Sequence, residues 1–288
     1  MDEPLQITWQ YDPGASIVEH HPATAAEAIT QLSAGNERFA SLGERRSYIE
    51  LPVSADDLGF GAVAGEPPRQ TPHAVLLACA DARVPPELVF TQSANDLFTV
   101  RVAGNVLGAE CVGSMDYAVT HLPTVRLLAV MGHTSCGAVS AAVDVYLDPV
   151  QHAALAANLP LRAIIDAILA PVRAADQQLQ RSHGERVVRR PGYRAALIDF
   201  AVLINAAEGA AALESYFADH LGDHLAVAYG VFDLASRRVG VPALEGGDDW
   251  QDGLHAPIRP SQYGAVAAGW AQSRHITDLL ESLPSRGH

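Results

Sequence analysis

Hydrophobic side chains predominate in four short runs, which cover residues 74–78, 97–102, 125–131 and 225–232, and the first of these is uninterrupted. Continuous apolar runs of this length are typical of parallel strands that are buried on both faces. Residues 233–241 follow the last run and predict a short antiparallel edge strand. The pattern therefore predicts an α/β fold with a mostly parallel central sheet of four to five strands, flanked by helices.

Segments of helical periodicity separate the predicted strands. They predict helices at 109–122, 137–147, 161–181 and 193–219, and a shorter one near 276–283. An earlier helix begins at Thr24, because Glu27 three residues later completes a capping-box pattern. Apolar residues then recur at helical spacing up to Gly43, so we expect an N-terminal helical arm. Residues 1–22 are expected to be extended, and 51–72 to form a loop.

The amino-acid composition argues against several classes of function. The chain has 288 residues, of which 49% are hydrophobic, and this suits one domain with extensions. A formal net charge of −14 disfavours nucleic acid as a partner. All 19 basic residues are arginines, which excludes reactions that need a Schiff-base or Walker A lysine. The acidic start without an apolar signal segment, the lack of a long apolar run and the three cysteines predict a cytoplasmic protein that binds no membrane.

Candidate metal ligands follow two of the predicted strands. Cys79 comes directly after the run 74–78, and His133 and Cys136 follow the run 125–131. Open α/β sheets bind ligands beyond the carboxyl ends of their strands, so these side chains are expected to meet. Two thiolates and one imidazole suit zinc and leave a fourth position for water, which the metal would acidify towards hydroxide. Cys136 would also begin a helix, whose N-terminus stabilises a thiolate.

Asp81 and Arg83 lie within four residues of Cys79. Asp81 is either a fourth ligand or the acceptor of a hydrogen bond from zinc-bound hydroxide. A bidentate Arg83 would hold Asp81 ionised and turned away from the metal. Three other interpretations remain open at this point: an ordinary salt bridge, a disulfide between Cys79 and Cys136, and a closed structural zinc site. Cys111 is interpreted as a small buried apolar residue.

These motifs resemble those of β-class carbonic anhydrases. The resemblance rests on Cys79-x-Asp81-x-Arg83, on Gly132-His133-x-x-Cys136-Gly137 and on the segments 101–105 and 115–119. It covers residues 24–241, and it implies a catalytic domain there, an N-terminal extension at 1–23 and a C-terminal extension at 242–288. It also implies one Zn2+ per subunit and a homodimer or a dimer-based higher oligomer.

The resemblance implies a role for each site residue. The metal ligands would be Cys79, His133 and Cys136, and the catalytic residues Asp81 and Arg83. The substrate-binding residues would be those of the plant-like subset, namely Gln70, Phe98, Ala103, Tyr117 and Gly137. Leu76 stands where members with a regulatory bicarbonate site carry tryptophan, so that site is expected to be missing.

The implied function is the reversible hydration of carbon dioxide to bicarbonate and a proton by metal-bound hydroxide. Two alternatives remain open. The first is a carbonyl sulfide or carbon disulfide hydrolase on the same fold. The second is a non-catalytic protein that uses zinc structurally or senses bicarbonate. A zinc deaminase is disfavoured, because its His-x-Glu and Pro-Cys-x-x-Cys patterns are absent.

Overall fold

A computed structural model describes residues 5–12, 21–45, 47–54, 67–148, 150, 153, 158–244 and 250–282. We number strands and helices separately in chain order. The strands are β1 (Gln6–Asp12), β2 (Tyr48–Ser54), β3 (Ala74–Ala78), β4 (Leu97–Arg101), β5 (Leu127–His133), β6 (Ala226–Phe232), β7 (Val239–Pro242) and β8 (Trp250–Asp252). The helices are α1 (Ala25–Ala40), α2 (Pro86–Val89), α3 (Ala109–His121), α4 (Gly137–Leu147), α5 (Leu159–His183), α6 (Tyr193–Tyr216), α7 (Pro260–Gln272) and α8 (Arg274–Glu281).

The central sheet has the strand order β4-β3-β5-β6-β7-β8. Its first four strands are parallel, and β7 and β8 are antiparallel to their neighbours. The predicted α/β class and mostly parallel sheet are confirmed, and β7 is the predicted antiparallel strand, although β8 rather than β7 lies at the edge. Within the described residues the sheet has six strands rather than four to five, because the three-residue β8 has two exposed residues and no apolar run to mark it.

The strand order reverses beside β3. From β3 the chain passes through α2 to β4 on one side, and it then returns through α3 to β5 on the other side. Ala78, the last residue of β3, lies opposite Arg101 of β4 and Met131 of β5. Such a switch point opens a crevice at the carboxyl ends of the strands, which is where this fold class binds its ligands.

The core is formed by the buried strands β3 and β5 and by the long apolar helix α6. Every residue of β3 and β5 is buried, as the continuous apolar runs predict. Helix α6 packs against β5, β6 and α5. By length and composition α6 could cross a membrane, but 72% of its most apolar window is buried inside the protein itself. Its hydropathy is therefore accounted for by its place in the core.

The N-terminal arm contains the predicted helix and an additional small sheet. The Thr24 side chain caps α1 by accepting a hydrogen bond from the Glu27 N–H at 3.2 Å. The Glu27 carboxylate accepts one in return at 2.7 Å from the N–H of Ala23, one residue before the cap, so the reciprocal bond differs by one residue from that of the predicted capping box. Strands β1 and β2 pair in parallel as a separate sheet. The prediction of a loop at 51–72 is therefore wrong for residues 51–54, which belong to β2, and residues 55–66 lie outside the described part of the chain.

The chain beyond β7 packs on the same core. Helix α8 corresponds to the helix predicted near 276–283, whereas α7 was not predicted. Trp270 of α7 and Ile276 of α8 are buried. Gly192, the residue before α6, allows a direct backbone approach, because a Cβ there would lie 1.8 Å from the Leu279 carbonyl oxygen. The C-terminal segment therefore packs closely against the start of α6.

Candidate metal centre

Three buried side chains converge at the switch point. Cys79 follows β3, His133 ends β5, and Cys136 is the N-cap of α4. Their ligand atoms all lie within 4.8 Å of one another, and the two sulfur atoms are 3.9 Å apart. The pairing of β3 with β5 explains the meeting, since it places the ends of both strands side by side. The structure thus brings together the three residues that the sequence proposed as ligands.

The His133 ring is oriented for metal binding. Its Nδ1 donates a hydrogen bond to the Thr134 carbonyl oxygen at 3.0 Å, which leaves Nε2 with a free lone pair. Nε2 is buried and has no hydrogen-bond partner in the described structure. An unpaired buried nitrogen is costly, and a metal ion among the three ligands would satisfy it.

The two thiols share one proton. The hydrogen bond from Cys136 lowers the pKa of Cys79 to about 4, and the N–H of Gly104 also donates to the Cys79 sulfur, at 3.3 Å. The same hydrogen bond with Cys79, together with burial, raises the pKa of Cys136 well above its usual range. Cys136 begins α4 as predicted, and the N–H groups of Ala138 and Val139 act to lower its pKa, against the larger effects of Cys79 and burial.

Two thiol sulfurs and a neutral imidazole nitrogen form a donor set that suits zinc. The free Nε2 of His133 and the shared proton of the cysteine pair both fit a divalent cation at this point. Gly137, next to Cys136, leaves one side of the cluster open, since a Cβ there would meet no atom within 4 Å.

Asp81 and Arg83 form a bidentate ion pair beside the cluster. Arg83 Nε lies 3.0 Å from Asp81 Oδ1, and Arg83 Nη2 lies 2.7 Å from Oδ2. The Arg83 N–H donates to Oδ1 as well, at 2.9 Å. The arginine side chain holds the pKa of Asp81 well below its usual range. Asp81 Oδ2 remains 3.8 Å from His133 Nε2, so the ionised carboxylate is paired with arginine yet adjoins the metal ligands.

Arg101 fixes the strand end that carries Cys79 and Asp81. Its Nε donates to the Cys79 carbonyl oxygen at 3.0 Å, and its Nη2 donates to the Asp81 carbonyl oxygen at 2.5 Å. Arg101 belongs to β4, which pairs with β3. The neighbouring strand therefore supports the Cys79–Arg83 turn, a role that the sequence did not reveal.

Residues distant in sequence hold the loop that carries the other two ligands. Thr134 Oγ1 donates to Asp233 Oδ1 at 3.1 Å, and the Ser135 N–H donates to Asp199 Oδ1 at 2.9 Å. Arg83 also reaches the Ser135 carbonyl oxygen, at 3.4 Å. Asp199 and Asp233 were missed by sequence analysis, because no local spacing connects them with the ligands.

The predicted substrate-binding residues fall into two groups. Ala103 and Gly137 lie beside the cluster. Ala103 precedes Gly104, whose N–H contacts the Cys79 sulfur, and Gly137 follows the ligand Cys136. Gln70 is exposed and lies before the amino end of β3, whereas the metal ligands lie at the carboxyl ends of the strands. Phe98 lies near the amino end of β4, and Tyr117 on α3 is half exposed and stacks on His121. A single chain does not bring these three to the metal centre.

Comparison with known proteins shows a similarity to one family around this site. Residues 74–208 match the family model described as carbonic anhydrase. Carbonic anhydrase 2 of Mycobacterium tuberculosis is 42% identical over 123 residues, which cover 43% of this chain and 53% of the relative. A carbonic anhydrase of Mycolicibacterium smegmatis is 49% identical over 75 residues, or 26% of this chain and 36% of the relative. The matches thus span about half or less of these curated relatives.

Solved structures give a weaker likeness. The β-carbonic anhydrase CafA of Aspergillus fumigatus is 22% identical, with a TM-score of 0.45 over 69% of this chain and 82% of that one. The matched region 74–208 contains all three candidate ligands together with Asp81 and Arg83. Residues 74–208 of this chain are therefore similar to carbonic anhydrases.

Proposed function

We propose that this protein catalyses the reversible hydration of carbon dioxide to bicarbonate with one zinc ion per subunit. The observation that carries the proposal is the buried Cys79–His133–Cys136 cluster. Beside it, Asp81 forms a bidentate ion pair with Arg83 instead of joining the three ligands. A purely structural zinc site would need a fourth permanent ligand. Asp81 is the nearest candidate, and its engagement with Arg83 supports an open fourth position instead.

Zinc bound by these ligands would supply a Lewis acid that makes water a nucleophile near neutral pH. Cys79 and Cys136 would balance its charge as thiolates, and His133 would bind through Nε2 while Thr134 fixes its ring. The cysteines must stay reduced, because a disulfide would remove two ligands. We therefore also propose a reducing compartment, the cytoplasm, as the place of action.

Asp81 would orient the reacting water. Because Arg83 lowers the pKa of this carboxyl group, it stays ionised and can only accept hydrogen bonds. A carboxylate with such a low pKa is a weak base at neutral pH, so the role of Asp81 would be to position the water rather than to remove its proton. Arg83 in turn is half exposed and tied to Ser135, which links the dyad to the loop of His133 and Cys136.

The substrate pocket would be shared between two copies of the chain. Ala103 and Gly137 border the cluster from the same chain, whereas Gln70, Phe98 and Tyr117 lie elsewhere in it. We propose a homodimer, or a higher oligomer built from it, in which these three residues act on the partner's metal centre.

Stopped-flow measurement of carbon dioxide hydration on zinc-quantified protein tests the proposal. Wild-type protein should hydrate carbon dioxide, Cys136→Ala should lose zinc and activity together, and Asp81→Asn should keep zinc and lose most activity. Cys111→Ala is the matched control, because this half-buried thiol lies outside the cluster. Full zinc occupancy without hydration between pH 7 and pH 9 would refute the proposal and favour a non-catalytic zinc protein.

A further inference from the structure

Ser135, between the ligands His133 and Cys136, has an unusual backbone. Its φ is +55°, a left-handed conformation that residues other than glycine rarely adopt. This turn lets the chain deliver His133 from the end of β5 and Cys136 from the start of α4 to one point. A serine in such a conformation needs support from its surroundings.

Asp199 on α6 supplies part of that support and is itself supported. One carboxylate oxygen accepts the hydrogen bond from the Ser135 N–H, at 2.9 Å. The other oxygen lies 3.2 Å from Nε2 of His275. The Asp199 side chain is only 9% exposed, so both of its oxygens need donors. A carboxylate can only accept, so Nε2 of His275 carries the hydrogen.

The C-terminal helix α8 fixes His275 in this position. The Ser273 side chain caps α8 by accepting from the Ile276 N–H, and Ile276 is fully buried against the core. The ring of Trp250, from β8, meets the His275 ring edge to face with centroids 5.3 Å apart. His275 is thus anchored on both sides, and its direction towards Asp199 is set by packing.

We propose that His275 is a positioning residue for the metal centre, acting through Asp199 on the backbone of Ser135. The histidine orients the Asp199 carboxylate, which holds the Ser135 turn, and the turn sets the relative positions of His133 and Cys136. A segment outside the matched family region, residues 250–282, would in this way control how firmly the catalytic metal is held. The proposal rests on zinc binding at the proposed site but not on the reaction.

Zinc release to an excess of chelator, followed in stopped flow, measures the effect without any assay of activity. His275→Ala should speed release about tenfold, the usual scale for loss of an outer support of a metal ligand. His275→Gln keeps an N–H donor and should stay within about threefold of wild type. Ile276→Val is the matched control: it trims a buried side chain of the same helix, and should lower the melting temperature without changing release.

A combined variant tests the route. If His275 acts through Asp199, then His275→Ala should change zinc release less than about twofold when Asp199 is already alanine. Unchanged release in His275→Ala would overturn the proposal. Equal acceleration in His275→Gln or Ile276→Val would also overturn it, because the effect would then be general destabilisation. Zinc-loaded wild-type protein that fails to hydrate carbon dioxide would refute the proposed function alone, whereas a protein that binds no zinc would refute both.

Discussion

The turn at Gly104 makes the sharpest prediction about how the fold supports the metal centre. Gly104 has a φ of +66°, and its N–H donates to the Cys79 sulfur at 3.3 Å. Its carbonyl oxygen accepts from Asn205 Nδ2 at 2.9 Å, so both backbone polar groups of Gly104 are hydrogen-bonded. A Cβ at this position would lie 2.7 Å from Ile168 Cδ1 and 3.2 Å from the Ala138 Cβ. Gly104→Ala therefore meets a backbone obstacle and a packing obstacle together.

The two obstacles have known scales. A left-handed conformation costs a residue other than glycine about 1–2 kcal/mol. Overpacking costs about 1–3 kcal/mol, and the value here depends on how far the flexible end of Ile168 can move. Alanine also restricts the unfolded chain, which offsets about 0.4–1 kcal/mol. We therefore expect Gly104→Ala to lower the free energy of unfolding by about 1–5 kcal/mol.

Urea unfolding of the metal-free protein, followed by circular dichroism, measures this change. Gly113→Ala is the control, because a Cβ at this exposed position of α3 would meet no atom within 4 Å. It should be stabilising by about 0.5–1 kcal/mol. Adding Ile168→Val to Gly104→Ala should recover the packing part and leave the backbone part.

Two outcomes would refute the reasoning. If Gly104→Ala stayed within about 0.5 kcal/mol of wild type, the turn would not require glycine. If the effects of Gly104→Ala and Ile168→Val simply added, the contact between the two positions would not be the cause.

Three further predictions concern charge and protonation. Arg83→Gln should lower the rate of carbon dioxide hydration at least tenfold with zinc content unchanged, because Asp81 loses its paired arginine. The control is Arg238→Gln, which removes the exposed ion pair with Asp252 and should have little effect. Zinc binding near pH 7.5 should release about one proton, since the hydrogen-bonded cysteine pair holds one proton between its two sulfur atoms. Calorimetry in buffers of different ionisation enthalpy counts the released protons, and a count of two would contradict the shared proton. Burial and Asp176 raise the pKa of Tyr146 to about 12 in the folded protein, so its stability contribution should be complete below pH 10 and be lost as pH rises towards 12. Unfolding measured across that window should show a shallower loss in Tyr146→Phe, and an unchanged slope would contradict the assignment.

The sequence predicted the parts of the site that depend on local pattern. Cys79 and His133 follow apolar runs, and such runs form buried parallel strands whose carboxyl ends meet. Thr24 and Glu27 define the start of α1 through hydrogen bonds that span four residues or fewer. In each case the residues that determine the structure lie next to each other in the chain.

The supports of the site could not be predicted in the same way. Asp199 is 64 positions from Ser135, and Asp233 is 99 positions from Thr134. No sequence pattern distinguishes either aspartate from the others in the chain. Each comes close to the ligand loop only because α6 and the end of β6 pack against β5. The protonation of the cysteine pair was missed for a related reason. A helix N-terminus can be recognised in the sequence, whereas the sulfur 3.9 Å away is a tertiary contact, and its hydrogen bond raises the pKa of Cys136.

The position of Gln70 leads to a final prediction about assembly. Gln70 precedes β3 and Cys79 follows it, and the five residues of this strand separate the two by about 16 Å. A glutamine side chain does not span that distance, so we expect Gln70 to act on the metal centre of another copy in the proposed dimer. A mixed dimer of one Gln70→Ala chain and one Cys136→Ala chain should therefore contain one complete site and recover about half of the wild-type activity per dimer.

A second mixed dimer provides the control. When one chain is wild type and the other carries both substitutions, the single metal-binding site faces an alanine, and activity should equal that of one site of the Gln70→Ala homodimer. Separate affinity tags on the two chains allow each mixed dimer to be purified before stopped-flow assay. Equal activity in the two mixed dimers would mean that Gln70 does not act across the interface. The distance along β3 would then exclude this residue from catalysis altogether, because its own chain offers it no route to the metal.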